Sequence, residues 1–494
     1  MSILQPPGLR RSDIRLKQDL IRVAVCAQSP LPDGIIDDTT NNSLNSRASC
    51  YAPKNSAITD IVLAFPGFAL LNPEVDLPTA TYTVTAAVEY PAGTFYPVYV
   101  NGNRSLTVTA GRAIYRFDPL PIVIPAGAQF FVKTYATWTA GHFILSTLTA
   151  SSLTSDWTNR GTGLTDQTLT TSTFSTTSNA GGFAPIVYGR LASPSPVLGI
   201  LGASQDAGAS DLIDHFGQRF MNRAMRGVLP VINLARSGDS LGNYLLRPEG
   251  RSMVFRDAIT HLIFGTMVSN SVYGTTNLGT LQTNYQLCIA PFLARGVRVY
   301  GMTVIPRTTS TDNWLTTANQ TITAPTNDAV RKAFNAWIRG NYRSIGLSGL
   351  IDACAAVDPT DSSLWSADAN AVNNGASRVA SGYATISGGQ VTAVSMLSTN
   401  SDSTSGSGYT PNSTVPCVVL PYPGDTGSGA VVVGNVNASG WVTSYTVQNG
   451  GSGYLYPPMV TPAAKWTGDG VHETSRGCNE VIYRTGLSPQ MFVL

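Results

Sequence analysis

Charge is scarce in this chain: only 12% of its 494 residues are Asp, Glu, Lys or Arg, and the formal net charge is +2. A nucleic acid or an anionic membrane is held by a concentrated basic surface, so neither is expected as a partner. Long apolar runs are missing too. No stretch approaches the ~18 residues of a membrane-spanning helix, and Met1-Ser2-Ile3-Leu4-Gln5-Pro6-Pro7 lacks the basic-then-apolar layout of a secretory signal. The six cysteines, at 26, 50, 288, 354, 417 and 478, show no short paired spacing, which argues against a structural zinc site. They read as buried or idle thiols, with a Cys26–Cys50 bridge left open to the redox compartment. No glycine-rich phosphate loop with its lysine and no His-Glu-x-x-His occurs, so no metal, nucleotide or other cofactor is expected.

What is abundant is Thr, Ser, Asn and Gly, which suits long β-surfaces kept soluble by hydroxyls and amides. The length exceeds one compact core, so roughly two to four domains are expected. Residues 1–20 carry Pro6, Pro7, Arg10, Arg11 and Arg15 without β-periodicity and read as an arm. Residues 21–190 hold short alternating runs such as Thr81-Tyr82-Thr83-Val84-Thr85-Ala86-Ala87-Val88, punctuated at Tyr90-Pro91-Ala92-Gly93 and Pro125-Ala126-Gly127. That pattern predicts an N-terminal β-sandwich or jelly roll, an accessory module whose aromatics serve mainly in packing.

From 191 to 366 strand-like and helix-like text alternates. Strands are expected at 197–201, 228–234, 261–268 and 297–305, and helices at 211–225, 280–294 and 327–341. Such alternation specifies an α/β three-layer arrangement with a parallel sheet, in which ligands sit at the carboxyl ends of the strands. Between 367 and 463 it gives way to a β-rich insertion with two similar units, ending in Gly406-Ser407-Gly408-Tyr409 and Gly451-Ser452-Gly453-Tyr454. The α/β text resumes over 464–494, so the insertion interrupts one domain.

Asp469-Gly470-Val471-His472 places a carboxylate and an imidazole three residues apart in a glycine-containing loop. A nucleophile is supplied by Gly202-Ala203-Ser204, at a strand-to-helix turn directly after the first α/β strand. The order Ser, Asp, His, with the last two separated by two residues, resembles the SGNH hydrolase superfamily of esterases and deacetylases. The resemblance covers blocks within about 195–365 and 464–494. It implies a flavodoxin-like parallel sheet, Ser204 as nucleophile, His472 as base and Asp469 as the group that orients it. Gly238-Asp239-Ser240-Leu241 spells the family's best-known tetrapeptide, yet it follows the second strand, where the family places an oxyanion-hole glycine. Gly238 is therefore carried over as a backbone donor beside the N–H of Ser204.

Two blocks depart from the family. Ala203 replaces the usual Asp before the serine, and Val268-Ser269-Asn270-Ser271 keeps only the Asn of Gly-x-Asn-Asp. Asn270 is the oxyanion candidate there, with a plain turn asparagine as the alternative. Arg307 and Trp314, in the loop after the fourth strand, are candidates for lining a sugar subsite. The resemblance implies a serine esterase removing acyl groups, O-acetyl first among them, from a bacterial surface polysaccharide. The repeats resemble those of phage tail and fibre proteins, which implies a virion location, other virion proteins as partners and a homotrimer. An inert virion structural or receptor-binding protein on the same fold is the competing expectation.

Overall fold

The computed structural model describes residues 34–493 apart from 39, 71–72, 77–80, 110, 140, 146–156, 172–184, 210, 212, 215–216, 219, 256–257, 276, 370, 372–378 and 397–406. The expected arm at 1–20 and Cys26 lie outside the described residues. Cys288, Cys354, Cys417 and Cys478 are free thiols.

Two antiparallel sheets form most of the N-terminal region, beside the two-stranded pairs Gly34–Asp38 with Gly141–Leu145 and Phe68–Ala69 with Val75–Asp76. In the six-stranded one, Trp157–Gly161, Ser43–Tyr51, Gln129–Trp138 and Tyr82–Glu89 lie side by side, and Phe95–Pro97 and Leu106–Val108 both pair with the last of these. The three-stranded one runs Ile186–Leu191, Ile58–Pro66, Ile114–Arg116. Leu44, Val84, Val88, Phe130 and Val132 of the first sheet share a core with Ile61, Leu63 and Phe65 of the second. The intervening Ala64 faces the opposite way, with Ile186 and Tyr188, into a core built mainly by the α/β region. The smaller sheet is therefore buried on both faces. The accessory module expected from sequence is not separable there, because the two-residue period of a strand puts every second side chain into the neighbouring domain.

The α/β region contains five parallel strands: β1 (Leu198–Leu201), β2 (Val231–Asn233), β3 (His261–Phe264), β4 (Arg298–Met302) and β5 (Gly349–Ile351). Their order is β2-β1-β3-β4-β5. The helices are α1 (Phe220–Met225), α2 (Leu241–Leu246), α3 (Glu249–Phe255), α4 (Met267–Gly274), α5 (Leu278–Leu293), α6 (Pro325–Asn341), α7 (Ala353–Val357) and α8 (Ser475–Thr485). Alternation along the strands divides them between two layers. Leu201, Ile232, Leu262, Phe264 and Val299 pack with α2 to α6. Leu198, Ile200, Val231, Ile263, Tyr300, Met302 and Ile351 pack with α1, α7 and α8. Fully burying each such aliphatic side chain contributes roughly 1.5–3 kcal/mol, so the sheet is held from both sides. Because the order reverses at β1, a crevice opens between the carboxyl ends of β1 and β3.

Several expected elements are shorter or different. The helix expected over 211–225 begins only at Phe220, and Ile213–Asp214 pairs with Gly217–Gln218 upstream of it. The second strand starts after Pro230, which has no N–H to give a ladder. The strand expected to reach 268 ends at Phe264, and the next apolar residues open α4. A short apolar run does not distinguish strand from helix by period. β5 was not anticipated.

The insertion is one six-stranded antiparallel sheet, ordered Gln390–Met396, Gly382–Ser387, Met459–Pro462, Thr414–Leu420, Ser428–Val436, Val442–Ser452. The tyrosines closing the two similar units, Tyr409 and Tyr454, are buried in separate small clusters.

Candidate active site

The turn after β1 is built around one buried carboxylate. Asp206 accepts hydrogen bonds from the Thr266 N–H (2.6 Å), the Thr266 hydroxyl (2.5 Å) and the Ala203 N–H (3.2 Å). A Cβ on Gly202 would lie 1.6 Å from Asp206 Oδ2, and one on Gly265 2.5 Å from it. Both strand ends therefore need glycine for the carboxylate to fit between them. The arrangement ties β1 to β3 and fixes Ser204 at the switch point. Sequence reading missed Asp206, although its signal was present: the carboxylate missing before the serine stands two residues after it.

The second half of the site is a closed loop. α8 is capped by Thr474 at its start and by Gly486, at φ 70°, at its end. The Thr474 N–H bonds the Trp466 carbonyl (3.0 Å), drawing the two ends of 467–473 together. Inside the loop, the Thr467 hydroxyl donates to the His472 carbonyl (2.8 Å) and accepts from the Gly470 N–H (2.9 Å). Asp469 Oδ1 accepts from the N–H groups of Val471 (2.9 Å) and His472 (2.8 Å). Gly470 has φ 79°, and its carbonyl receives the Trp365 indole N–H (3.1 Å) and the Thr308 N–H (3.1 Å). Gln205 reaches across from the serine turn, its Nε2 donating to the Val471 carbonyl at 2.7 Å.

These two halves bring the three expected residues together. His472 Nε2 lies 2.7 Å from Ser204 Oγ, and His472 Nδ1 lies 2.7 Å from Asp469 Oδ2. The relay spans 268 positions of sequence. The imidazole side chain is 19% exposed and the carboxylate 46%, so the site opens to solvent on the Asp469 side. Burial pushes the Asp469 carboxyl up, but hydrogen bonds and charge from His472 outweigh it and hold the group below its usual range. It is therefore ionised at neutral pH. The adjacent Glu473 behaves oppositely: full burial, with the negative charges of Asp206, Asp211 and Asp469, pushes its carboxyl up to about 8.

Ser240 has another use. Its hydroxyl accepts from the Asn243 N–H (3.2 Å) as the N-cap of α2. Gly238 sits just before it at φ 78°, and an Arg236 N–H to Gly202 carbonyl bond (3.0 Å) lays this loop beside the Ser204 turn. Asn270, in the first turn of α4, is joined to the same loop through Nδ2 donating to the Asp239 carbonyl (2.8 Å). Asp239 itself pairs through its carboxylate with the buried Arg251. Arg251 Nε in turn lies 2.8 Å from Glu74, which also accepts from Gly250 N (2.9 Å) and Arg112 Nη1 (2.9 Å). Glu74 and Arg112 belong to the N-terminal region. No sequence signal links residues so far apart.

The two residues expected to line a sugar subsite are packed into the scaffold. Arg307 Nη2 donates to Asn270 Oδ1 (2.6 Å) and Ser269 Oγ (3.2 Å), and the guanidinium lies 4.2 Å from the Tyr273 ring centroid. Trp314 donates its indole N–H to Thr308 Oγ1 (2.9 Å), and its ring backs Gly470. Arg307's partners sit on α4 and the Trp314 ring packs on the 467–473 loop, neither of which a local reading of 306–314 could supply. Elsewhere among the described residues, donor atoms of Cys354, Asp358 and Asp361 lie within 4.8 Å of one another. Arg331 Nη1, 3.0 Å from Cys354 Sγ, places a cation where a metal would have to sit.

No protein-family model matches the chain, and no curated protein does. Among solved structures it is similar to a catalytic mutant of an acetylxylan esterase from Geobacillus stearothermophilus, at 10% identity over 33% of this chain and 77% of that one, with a TM-score of 0.25. It is also similar to a psychrotrophic esterase from Pseudoalteromonas, at 15% identity, 32% and 77% coverage and a TM-score of 0.23. A third is a GDSL-like lipase from Bacteroides thetaiotaomicron, at 13% identity, 33% and 70% coverage and a TM-score of 0.24.

Proposed function

We propose that the chain is a serine ester hydrolase that removes acyl groups, acetyl foremost, from a carbohydrate. The observation that carries this reading is the continuous relay Asp469–His472–Ser204, with 2.7 Å at each link. An isolated loop histidine has no need of an ionised carboxylate on one nitrogen and a strand-end hydroxyl on the other.

In the reaction, His472 Nε2 takes the proton as Ser204 Oγ bonds to the ester carbonyl carbon. Asp469 holds the Nδ1–H tautomer and stabilises the imidazolium. The negative charge reaching the carbonyl oxygen is met by the Ser204 and Gly238 N–H groups and by Asn270 Nδ2. A donor of this kind is worth roughly 10² to 10³ in turnover. Collapse breaks the bond to the sugar oxygen, which leaves with the proton from His472. Water then attacks the acyl-enzyme, giving its proton to the same imidazole, and the carboxylic acid and Ser204 are released. The absence of an apolar lid among the described residues favours a polar, short-acyl substrate over a lipid. The paired Gly-Ser-Gly-Tyr units support a virion setting, where such an enzyme meets decorated host glycans.

A labelled fluorophosphonate tests the reading. It should modify the protein at Ser204, Ser204→Ala should abolish labelling, and acetate should be released from acetylated polysaccharide faster than acid from a long-chain ester. A protein that binds glycan but takes no label is a binding scaffold, and the proposal fails.

A further inference from the structure

We infer that Arg307 is a positioning residue for the oxyanion donor, fixing and polarising the Asn270 side chain. This inference rests on the esterase reading. An amide placed at random offers an oxygen or a nitrogen to the site with little preference. Here its orientation is set by chemistry at both ends. Arg307 Nη2, 2.6 Å from Oδ1, can only donate, so that atom must be the oxygen. The Asp239 carbonyl, 2.8 Å from Nδ2, can only accept, so that atom must be the nitrogen. With one end of the planar group pinned by each partner, the second Nδ2 hydrogen has a single direction. Among the described residues it has no protein partner.

The charge matters as well as the direction. A guanidinium hydrogen-bonded to the amide oxygen draws electron density from the nitrogen, which makes the remaining N–H a stronger donor. No carboxylate lies within ion-pairing distance of Arg307 among the described residues, so the charge is not spent on a neighbour. Its placement follows from α4. Ser269, Asn270 and Tyr273 fall on one helical face at i, i+1 and i+4, and present a hydroxyl (3.2 Å), an amide oxygen and a ring face (4.2 Å to its centroid) to a single side chain. Arg307 also feels the negative charge of Asp469, so it sits between the two halves of the machinery.

The test compares Arg307→Met, Arg307→Lys and Asn270→Ala with the double variant Arg307→Met/Asn270→Ala, in the full chain on an acetyl ester. Arg307→Met should lower kcat about 10- to 10²-fold, part of the worth of the donor itself, with KM within about twofold. Arg307→Lys, which keeps charge but not the fork, should recover part of the loss. In the Asn270→Ala background, Arg307→Met should cost less than about twofold, because the group it acts on is gone. A raised KM at unchanged kcat, or an equal loss in both backgrounds, overturns the inference, the first in favour of a substrate contact. A second readout needs no turnover: the Asn270 side-chain amide proton resonances should move upfield in Arg307→Met and exchange faster with solvent. If the parent protein neither labels nor turns over, the esterase reading fails on its own, and unmoved amide resonances would refute the Arg307 assignment separately. Thermal melts of both Arg307 variants separate these outcomes from misfolding.

Discussion

Gly470 lies between Asp469 and His472, two members of the relay, and replacing it tests whether loop geometry governs the chemistry. In Gly470→Ala the new Cβ would lie 1.9 Å from the Thr308 carbonyl oxygen and 2.8 Å from Trp314 Cζ2. A comfortable carbon-to-oxygen contact is about 3.3 Å, so something must move by roughly 1.4 Å. The Thr308 segment is paired with Gln320–Ile322, and the Trp314 ring is held by its bond to Thr308 Oγ1 at 2.9 Å. The Thr308 N–H also bonds the Gly470 carbonyl (3.1 Å), so relieving the clash shifts 469–472 against the segment that holds it. Alanine also adopts φ 79° poorly, at a cost of about 1–2 kcal/mol. Displacement on the order of 1 Å in a catalytic constellation lowers turnover about 10²-fold. Gly470→Ala is therefore expected to lose at least that much kcat on an acetyl ester and to label with fluorophosphonate correspondingly slowly, while melting cooperatively only a few degrees lower. Gly340→Ala on α6 is the control, since its Cβ would meet nothing within 4 Å. Activity of Gly470→Ala within about threefold of the parent would refute the reasoning.

Two further predictions concern neighbouring groups. Ser240→Ala should cost about 1 kcal/mol in a denaturant melt, the usual worth of an N-cap, and should label as fast as the parent; loss of label would transfer the nucleophile to the wrong serine. Glu473, raised from 4.5 to about 8 by burial and nearby carboxylates, is neutral in the folded protein where an unfolded chain is already charged. Its contribution is full below pH 4.5 and is lost as pH rises through 8, a span worth on the order of several kcal/mol. Glu473→Gln should remove that decline, so the variant gains on the parent between pH 5 and pH 8. An unchanged difference between the two pH values in matched denaturant melts would show that the carboxyl is not held neutral.

The fold and the relay were legible for different reasons. β1 and β4 are short apolar runs between clear breaks, and α5 and α6 are the two longest helices among the described residues, so their text gave them within a few residues. The Asp469, Gly470 and His472 pattern was readable because all its members share one loop. Ser204 needed only its position after the first strand. By contrast, β3 and α4 share one apolar run that carries no mark of where the period changes. Asp206 was not legible because the motif's carboxylate stands before the serine, whereas here a carboxylate after it reaches the same pair of strand ends. Arg307 and Trp314 were placed in the right loop, but their partners in the scaffold were not legible. What they touch is set by α4 and by the 467–473 loop, and contact between distant segments leaves no trace in local text.

The small sheet of Ile58–Pro66 with its two neighbours, and the Glu74 carboxylate that grips Arg251, have a consequence for how such a chain can change. Excising everything before residue 195 would strip Ala64, Phe68 and Tyr188 from the helical layer. It would also leave a guanidinium stranded without one of its counter-charges, beside Asp239, whose carbonyl accepts from Asn270. The α/β half is thus not a portable cassette. Recombination that swaps the N-terminal β-structure at this seam would have to carry Phe68, Glu74 and Arg112 along, whereas exchanges within 379–463 leave that cluster untouched.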